Sequence, residues 1–266
     1  MHIHFLDPYR PLASPVHALD ARVKLLLSLA FILTCSLGPL GRLPMYVMLF
    51  ALNLAVQILS GLGPLYVLRR SAIALPFALA ALPLLFTTPG QTVFSVPYGN
   101  ADFTASAEGL SRFLTILFKS WLSVQAAIVL AASTPFPELL RAMRAIGAPQ
   151  LLVAMFGLMW RYLFVLLDEA LRLTRARTAR SARLPGNQYK SGGTVAWRAH
   201  VAGGMAGNLL VRAFERSERI YSAMLARGYD GEVRSLPLPP ISSTDWITLT
   251  VGLLVLALLA IVGSVT

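Results

Sequence analysis

Leu171-Arg-Leu-Thr-Arg-Ala-Arg-Thr-Ala-Arg-Ser-Ala-Arg183 closes one long pattern that begins apolar near Pro149 and turns basic. Arg212-Ala-Phe-Glu-Arg-Ser-Glu-Arg-Ile-Tyr-Ser-Ala-Met-Leu-Ala-Arg227 closes a second, which begins near Thr194. Both read as long helices, greasy at one end and cationic at the other. Each carries a small residue, an arginine and another small residue near its end: Ala179-Arg180-Ser181 and Ala226-Arg227-Gly228. Arg172, Arg175, Arg180 and Arg183 fall within a sector of about 140° at 3.6 residues per turn. On the second helix Glu215 and Arg219 are spaced i,i+4 in the favourable order, which leaves Arg227 without such a partner. A solvated cationic face against anionic lipid heads, worth about 1 kcal/mol per charge, accounts for either helix alone. The repetition favours a second reading. Small flanks let a partner backbone come close, and a guanidinium then reaches a carboxylate or carbonyl with paired hydrogen bonds.

Outward from these helices the chain is oily. Of 266 residues 56% are hydrophobic and only 13% charged, against about 25% charge in a soluble domain. Apolar runs are predicted at Val23–Leu37, Pro44–Leu62, Ser71–Phe86, Gly109–Ala132 and Trp246–Val262, about the length that crosses some 30 Å of hydrocarbon. Asp20 is a reasonable N-cap for the first, Pro44 sits near the start of the second, and Pro76 and Pro83 should kink the third. Thr87–Glu108 reads as a polar loop and Glu138–Ile146 as a short amphipathic helix. The fold class is therefore an all-α membrane protein with about five transmembrane helices plus two long cytoplasmic helices. The expected division is 1–134 with four spans, 135–240 carrying the long helices, and 241–266 as a last anchor.

Charge fixes the expected orientation. Arg10, Arg22 and Lys24 precede the first span and Arg69 and Arg70 follow the second, while the loops across the membrane are poor in bases. By the positive-inside rule the N-terminus is cytoplasmic. Residues 135–240 return to that side with 15 of the 23 Lys and Arg and seven of the 12 acids, so this stretch supplies +8 of the net +11. The run Leu171–Arg183 has no interleaved aromatic of the kind a base-stacking surface requires, so lipid and an acidic protein partner are expected rather than nucleic acid.

Catalytic and metal motifs are absent. There is no Gly-x4-Gly-Lys-Ser/Thr loop, no His-Glu-x-x-His, no cysteine pair and no Gly-x-Ser-x-Gly. Asp168 and Glu169 are adjacent and diverge by about 100° on a helix. The lone Cys35 lies in an apolar run and reads as core filler. His2 and His4 offer imidazoles that suit Ni²⁺ or Cu²⁺, against the plainer reading of solvated residues at a frayed end. Lys119, inside the fourth run with Gln125 beyond it, is either an interior structural partner or a transport-related group.

Taken together, Leu19-Asp-Ala-Arg-Val-Lys-Leu25, Gly109-Leu-Ser-Arg-Phe-Leu114 with Lys119-Ser120, Thr134-Pro-Phe136, Leu140-Arg-Ala-Met143, Arg161-Tyr-Leu-Phe164, Ala179-Arg-Ser181 and Ala223-Met-Leu-Ala-Arg-Gly-Tyr229 resemble the transmembrane T component of energy-coupling factor transporters. The similarity is greatest to the cobalt/nickel-type, CbiQ-like branch. The resemblance implies a non-catalytic subunit of the prokaryotic inner membrane, with no cofactor of its own. Two partner ATPase subunits would bind ATP and Mg²⁺, and a substrate-binding membrane subunit of the cobalt/nickel type would lie on the other flank. It implies that Arg180 and Arg227, with their small neighbours, are the residues that dock on the two ATPases. A vitamin such as biotin is the alternative cargo, and an integral-membrane enzyme acting on lipid is the rival class. The spans offer only Cys35, Asn53, Gln57, Lys119 and Gln125, too few donors for a tight Co²⁺ or Ni²⁺ site. Metal selectivity is therefore expected in the partner.

Overall fold

The computed structural model describes residues 8–39, 41–74, 76, 79–88, 92–98, 101–180, 194–231 and 239–265. In chain order these form α1 (Pro15–Ala18), α2 (Ala21–Leu37), α3 (Leu43–Leu59), α4 (Pro64–Ser71) and α5 (Leu84–Thr87), then β1 (Thr92–Tyr98) and β2 (Ala101–Ser106). The long elements follow: α6 (Ala107–Ser133), α7 (Phe136–Ala145), α8 (Gln150–Arg180), α9 (Val195–Ala226) and α10 (Ser243–Val265). The chain divides into two compact units, one being Gly147–Pro237 with α8 and α9, the other comprising the segments on either side of it.

The flanking segments build a helical bundle of α2, α3, α6 and α10. Its buried core joins Phe31 and Cys35 with Met45, Tyr46 and Leu49, and closes with Leu122, Ala126, Leu256 and Leu259. Cys35 is indeed core filler. A satellite cluster of Leu62, Val67, Val129 and Ala132 seats α4 on α6. Lipid tails are as apolar as leucine, so close packing rather than water exclusion holds such helices together. Gly252 shows the consequence: a Cβ there would stand 2.6 Å from Leu27 Cδ2, so any side chain at 252 would require Leu27 to shift where α10 meets α2.

Local signals place most helix ends. Asp20 caps α2, its Oδ1 accepting from Arg22 N at 2.8 Å, and proline occupies the first turn of α3, α4 and α7. Among the described residues α6, α8 and α10 are long and apolar enough to cross a membrane, and α3 is a shorter apolar helix. The all-α membrane class holds, with two departures.

The third apolar run is not one kinked helix. It begins in α4 and continues through short 3₁₀ turns at Ala72–Ala74 and Leu79–Ala81 into α5. Each proline lacks an N–H and clashes with the preceding turn, and two within eight residues break the helix rather than bend it. The segment still traverses the bundle. It starts beside the C-terminal half of α6 and ends where the Leu85 carbonyl lies 2.8 Å from the Cβ position of Gly109 at the α6 N-terminus. The second departure is the expected loop at Thr87–Glu108, which contains an antiparallel hairpin running from Thr92 opposite Ser106 to Tyr98 opposite Ala101. Thr92-Val-Phe-Ser-Val96 is rich in the β-branched and aromatic residues that favour strands, a signal outweighed in the reading by the glycines and prolines around it.

The bundle has a basic end. Arg10 Cζ stands 3.8 Å over the Tyr66 ring, and Arg70 Nη1 donates to the Tyr66 hydroxyl at 3.1 Å. Lys24 Nζ donates to Ser133 O at 3.1 Å, bringing the α2 start to the α6 end. The opposite end holds Arg42, whose guanidinium donates to Gly263 O.

Candidate functional site

Arg180 is the last residue of α8 and Arg227 is the C-cap of α9, each exposed with its alanine neighbour. Neither makes an ion pair among the described residues. Ser181, Arg183, His2 and His4 lie outside the described residues. Gly228 adopts φ +80°. Its N–H donates to Leu225 O and the Tyr229 N–H to Met224 O, both at 3.0 Å. That 5→2 and 6→1 pair is a Schellman stop, which requires the left-handed conformation glycine adopts at no steric cost. The small residue after Arg227 is thus explained locally. It ends the helix immediately after the arginine and leaves the guanidinium at the tip.

A cross-helix clamp fixes α8 beside α9. Glu169 Oε1 accepts from Arg212 Nη1 at 2.8 Å and its Oε2 from Arg216 Nη2 at 3.0 Å. Arg212 and Arg216 share one face at i,i+4 spacing, and the Glu169 side chain is only 14% exposed. The hydrogen-bonded Arg212 guanidinium, with Arg216 beside it, holds the Glu169 carboxyl below the usual carboxylate range. Glu169 is thus engaged in a cross-helix ion pair. Arg177 Cζ sits 6.0 Å over the Trp197 ring and adds a second cross-helix contact. The expected Glu215–Arg219 pair forms no ion pair among the described residues; an exposed pair of this kind gains little against side-chain entropy.

Within the bundle Lys119 has a structural task. Its Nζ donates to Ser36 O at 3.0 Å and Gly38 O at 2.6 Å, the carbonyls left free at the end of α2. Lys24 does the reverse at the other end, capping α6 from α2. A cation is favourable at a helix C-terminus, so the antiparallel α2–α6 pair carries one lysine for each end.

Asn53, Gln57 and Gln125 are scattered in sequence and converge in space. Asn53 Nδ2 and Gln57 Nε2 both donate to Gln125 Oε1, at 3.0 and 2.9 Å, and all three side chains are buried. The i,i+4 spacing of Asn53 and Gln57 on one apolar helix was the available signal. Asn53 also lines a cavity of ≈ 210 Å³ whose walls are otherwise mostly apolar, with Lys24, Ser28, Ser133 and Thr248 the other polar groups. No group of three His, Cys, Asp or Glu residues is placed to hold a metal among the described residues.

This geometry is that of a membrane bundle joined to a two-helix unit tipped by arginines. The family described as CbiQ, cobalt transport protein, matches residues 13–237, and the chain belongs to that family. An uncharacterized protein of Methanocaldococcus jannaschii is 24% identical over 97% of this chain and 86% of its own length. An energy-coupling factor transporter transmembrane protein EcfT of Heliobacterium modesticaldum is 29% identical, with 88% of each chain covered. A putative fused cobalt transport protein CbiMQ of Methanocorpusculum labreanum is 28% identical over 94% of this chain, which spans only 42% of that longer protein. Class follows from family: this is a membrane-embedded transporter component, not an enzyme.

Proposed function

We propose that this chain is the coupling transmembrane subunit of an ATP-driven energy-coupling factor importer of the prokaryotic inner membrane. In this reading the N-terminus and residues 135–240 are cytoplasmic. Ala179, Arg180 and Ser181 dock on one partner ATPase, and Ala226, Arg227 and Gly228 on the other. The partners bind ATP and Mg²⁺, and their closure moves α8 and α9, which reorient a substrate-binding membrane subunit. One observation carries the reading: Arg180 and Arg227 stand exposed at the ends of paired long helices with no ion-pair partner among the described residues. Arg212 and Arg216, by contrast, are already engaged by Glu169.

The proposed cargo is cobalt or nickel, favoured by the family description and by the cobalt transport relatives, with metal selectivity resident in the substrate-binding partner. A vitamin such as biotin is the second reading, compatible with relatives whose name, EcfT, carries no cargo. A gene for a metal-type or a vitamin-type substrate-binding subunit beside this one separates the two.

The docking arginines are tested by charge reversal in the complete complex. Breaking a buried interfacial charge pair costs about 2–5 kcal/mol. Arg180→Glu or Arg227→Glu should therefore lower ATPase co-purification at least about tenfold and abolish uptake. Both variants retaining their ATPases and normal uptake refutes the assignment.

A further inference from the structure

The two-helix unit Gly147–Pro237 is inserted between α7 and the approach to α10. Any force it exerts through the backbone must enter the bundle along those two connections. One segment, residues 10–24, holds the bundle side of both.

On the departing side the backbone N–H of Arg10 donates to Ala132 O at 2.9 Å. Lys24 Nζ donates to Ser133 O at 3.1 Å and to His17 O at 3.4 Å. Lys24 is 6% exposed. These bonds secure the last carbonyls of α6, just before the chain leaves through α7. His17 closes the segment on itself, with Nδ1 2.7 Å from Ser14 Oγ and Nε2 3.0 Å from Arg10 O.

On the returning side Arg22 Nη2 donates to Pro239 O at 2.6 Å, the first described residue after the unit. The backbone N–H of Asp20 donates to Asp245 Oδ1 at 3.4 Å, in the first turn of α10. Asp20 Oδ1 also lies 3.5 Å from Arg22 Nε, and both side chains are largely buried. Arg22 and Lys24 sit two residues apart on α2 and so diverge by about 200°. One reaches the returning connection and the other the departing one.

We propose that Asp20, Arg22 and Lys24 form an anchor that ties both connections of the two-helix unit to the start of α2, so that displacement of the unit is delivered to the bundle instead of being absorbed by slack chain. This rests on the coupling reading above. The three are positioning residues: they act through the connections they hold. The anchor explains why Arg22 reaches Pro239 O while staying beside the capping Asp20, and why Lys24 lies buried with no ion-pair partner among the described residues.

The test uses the whole complex, with both ATPases and the substrate-binding subunit, in proteoliposomes. ATPase co-purification, ATP hydrolysis and uptake are measured together. Residues along a coupling network typically change coupling by about two- to thirtyfold. Arg22→Ala and Lys24→Met should therefore keep ATPase co-purification and ATP hydrolysis near wild type, while uptake per ATP falls about two- to thirtyfold. Arg22→Lys, which retains a donor for Pro239 O, should recover part of that ratio. Uptake per ATP unchanged in Arg22→Ala and Lys24→Met overturns the proposal. So does loss of co-purification, thermal stability and uptake in parallel, or a failure of Arg22→Lys to recover any of the ratio. Failure of the coupling reading itself shows separately, as retained assembly and uptake in Arg180→Glu and Arg227→Glu.

Discussion

Gln125 is the acceptor on which two buried amides depend, and it is the residue whose loss the bundle should feel most directly. Removing it strands the buried donors of Asn53 and Gln57. Interhelical hydrogen bonds in membranes are worth about 0.6–2 kcal/mol, and an unsatisfied buried donor costs about 1–3 kcal/mol. Gln125→Leu should therefore lower stability by about 1–2 kcal/mol, read as an earlier thermal transition in detergent. Replacing Asn53, Gln57 and Gln125 together by Leu should restore most of the loss, because donors and acceptor vanish as a set. A triple variant less stable than Gln125→Leu would show that the cluster matters for something other than its internal bonds. At this scale the sequence was readable where a residue acts on its neighbours, as with Asp20 capping its own helix and Cys35 filling an apolar face. It was not readable where the partner is distant in the chain. Nothing local announces that Gln125 meets Asn53, or that Lys119 caps α2.

Among the elements, the α8–α9 pair turns on Glu169, whose partners lie 43 and 47 residues away. The reading paired Glu215 with Arg219 because i,i+4 spacing is visible in a linear string, whereas a contact between helices appears only once the two pack. Since Arg212 holds the Glu169 carboxyl below its usual range, the sign of its pH dependence is fixed. The stabilising interaction is complete above the unfolded carboxyl pKa of about 4.3. It is lost as pH falls through the depressed folded value. Spin labels on exposed positions of α8 and α9 should report a constant separation at neutral pH and a broadened one under strong acid. Glu169→Gln should broaden it already at neutral pH and remove the acid transition. A wild-type separation that is acid-sensitive above pH 5 would place the responsible titration elsewhere. Other features of element scale were legible in part: prolines and glycines marked most helix boundaries, but a pair of prolines broke the third run outright. The hairpin was hidden because strand propensity is weak evidence beside turn residues.

Across the whole molecule, the charge bias and the packing can be set against each other. Arg10, Lys24 and Arg70 gather at one end of the bundle through Ala132, Ser133 and Tyr66, while Arg42 meets Gly263 at the other. The positive-inside rule favours the proposed orientation, with the Arg10, Lys24 and Arg70 end toward the cytoplasm. Impermeant-maleimide labelling tests this directly, because Cys35 is the single cysteine and is buried in the core. Cys35→Ala removes one polarizable side chain and gives a cysteine-free background. Single cysteines at Arg10, Arg180 and Arg227 should then react from the cytoplasmic side of inverted vesicles, and one at Arg42 only from the opposite side. The two helix-end positions decide most. If both arginines dock on ATPases they must share one side. Reaction of the 180 and 227 positions from opposite sides would place α8 or α9 across the membrane and remove the shared docking surface on which the coupling reading depends.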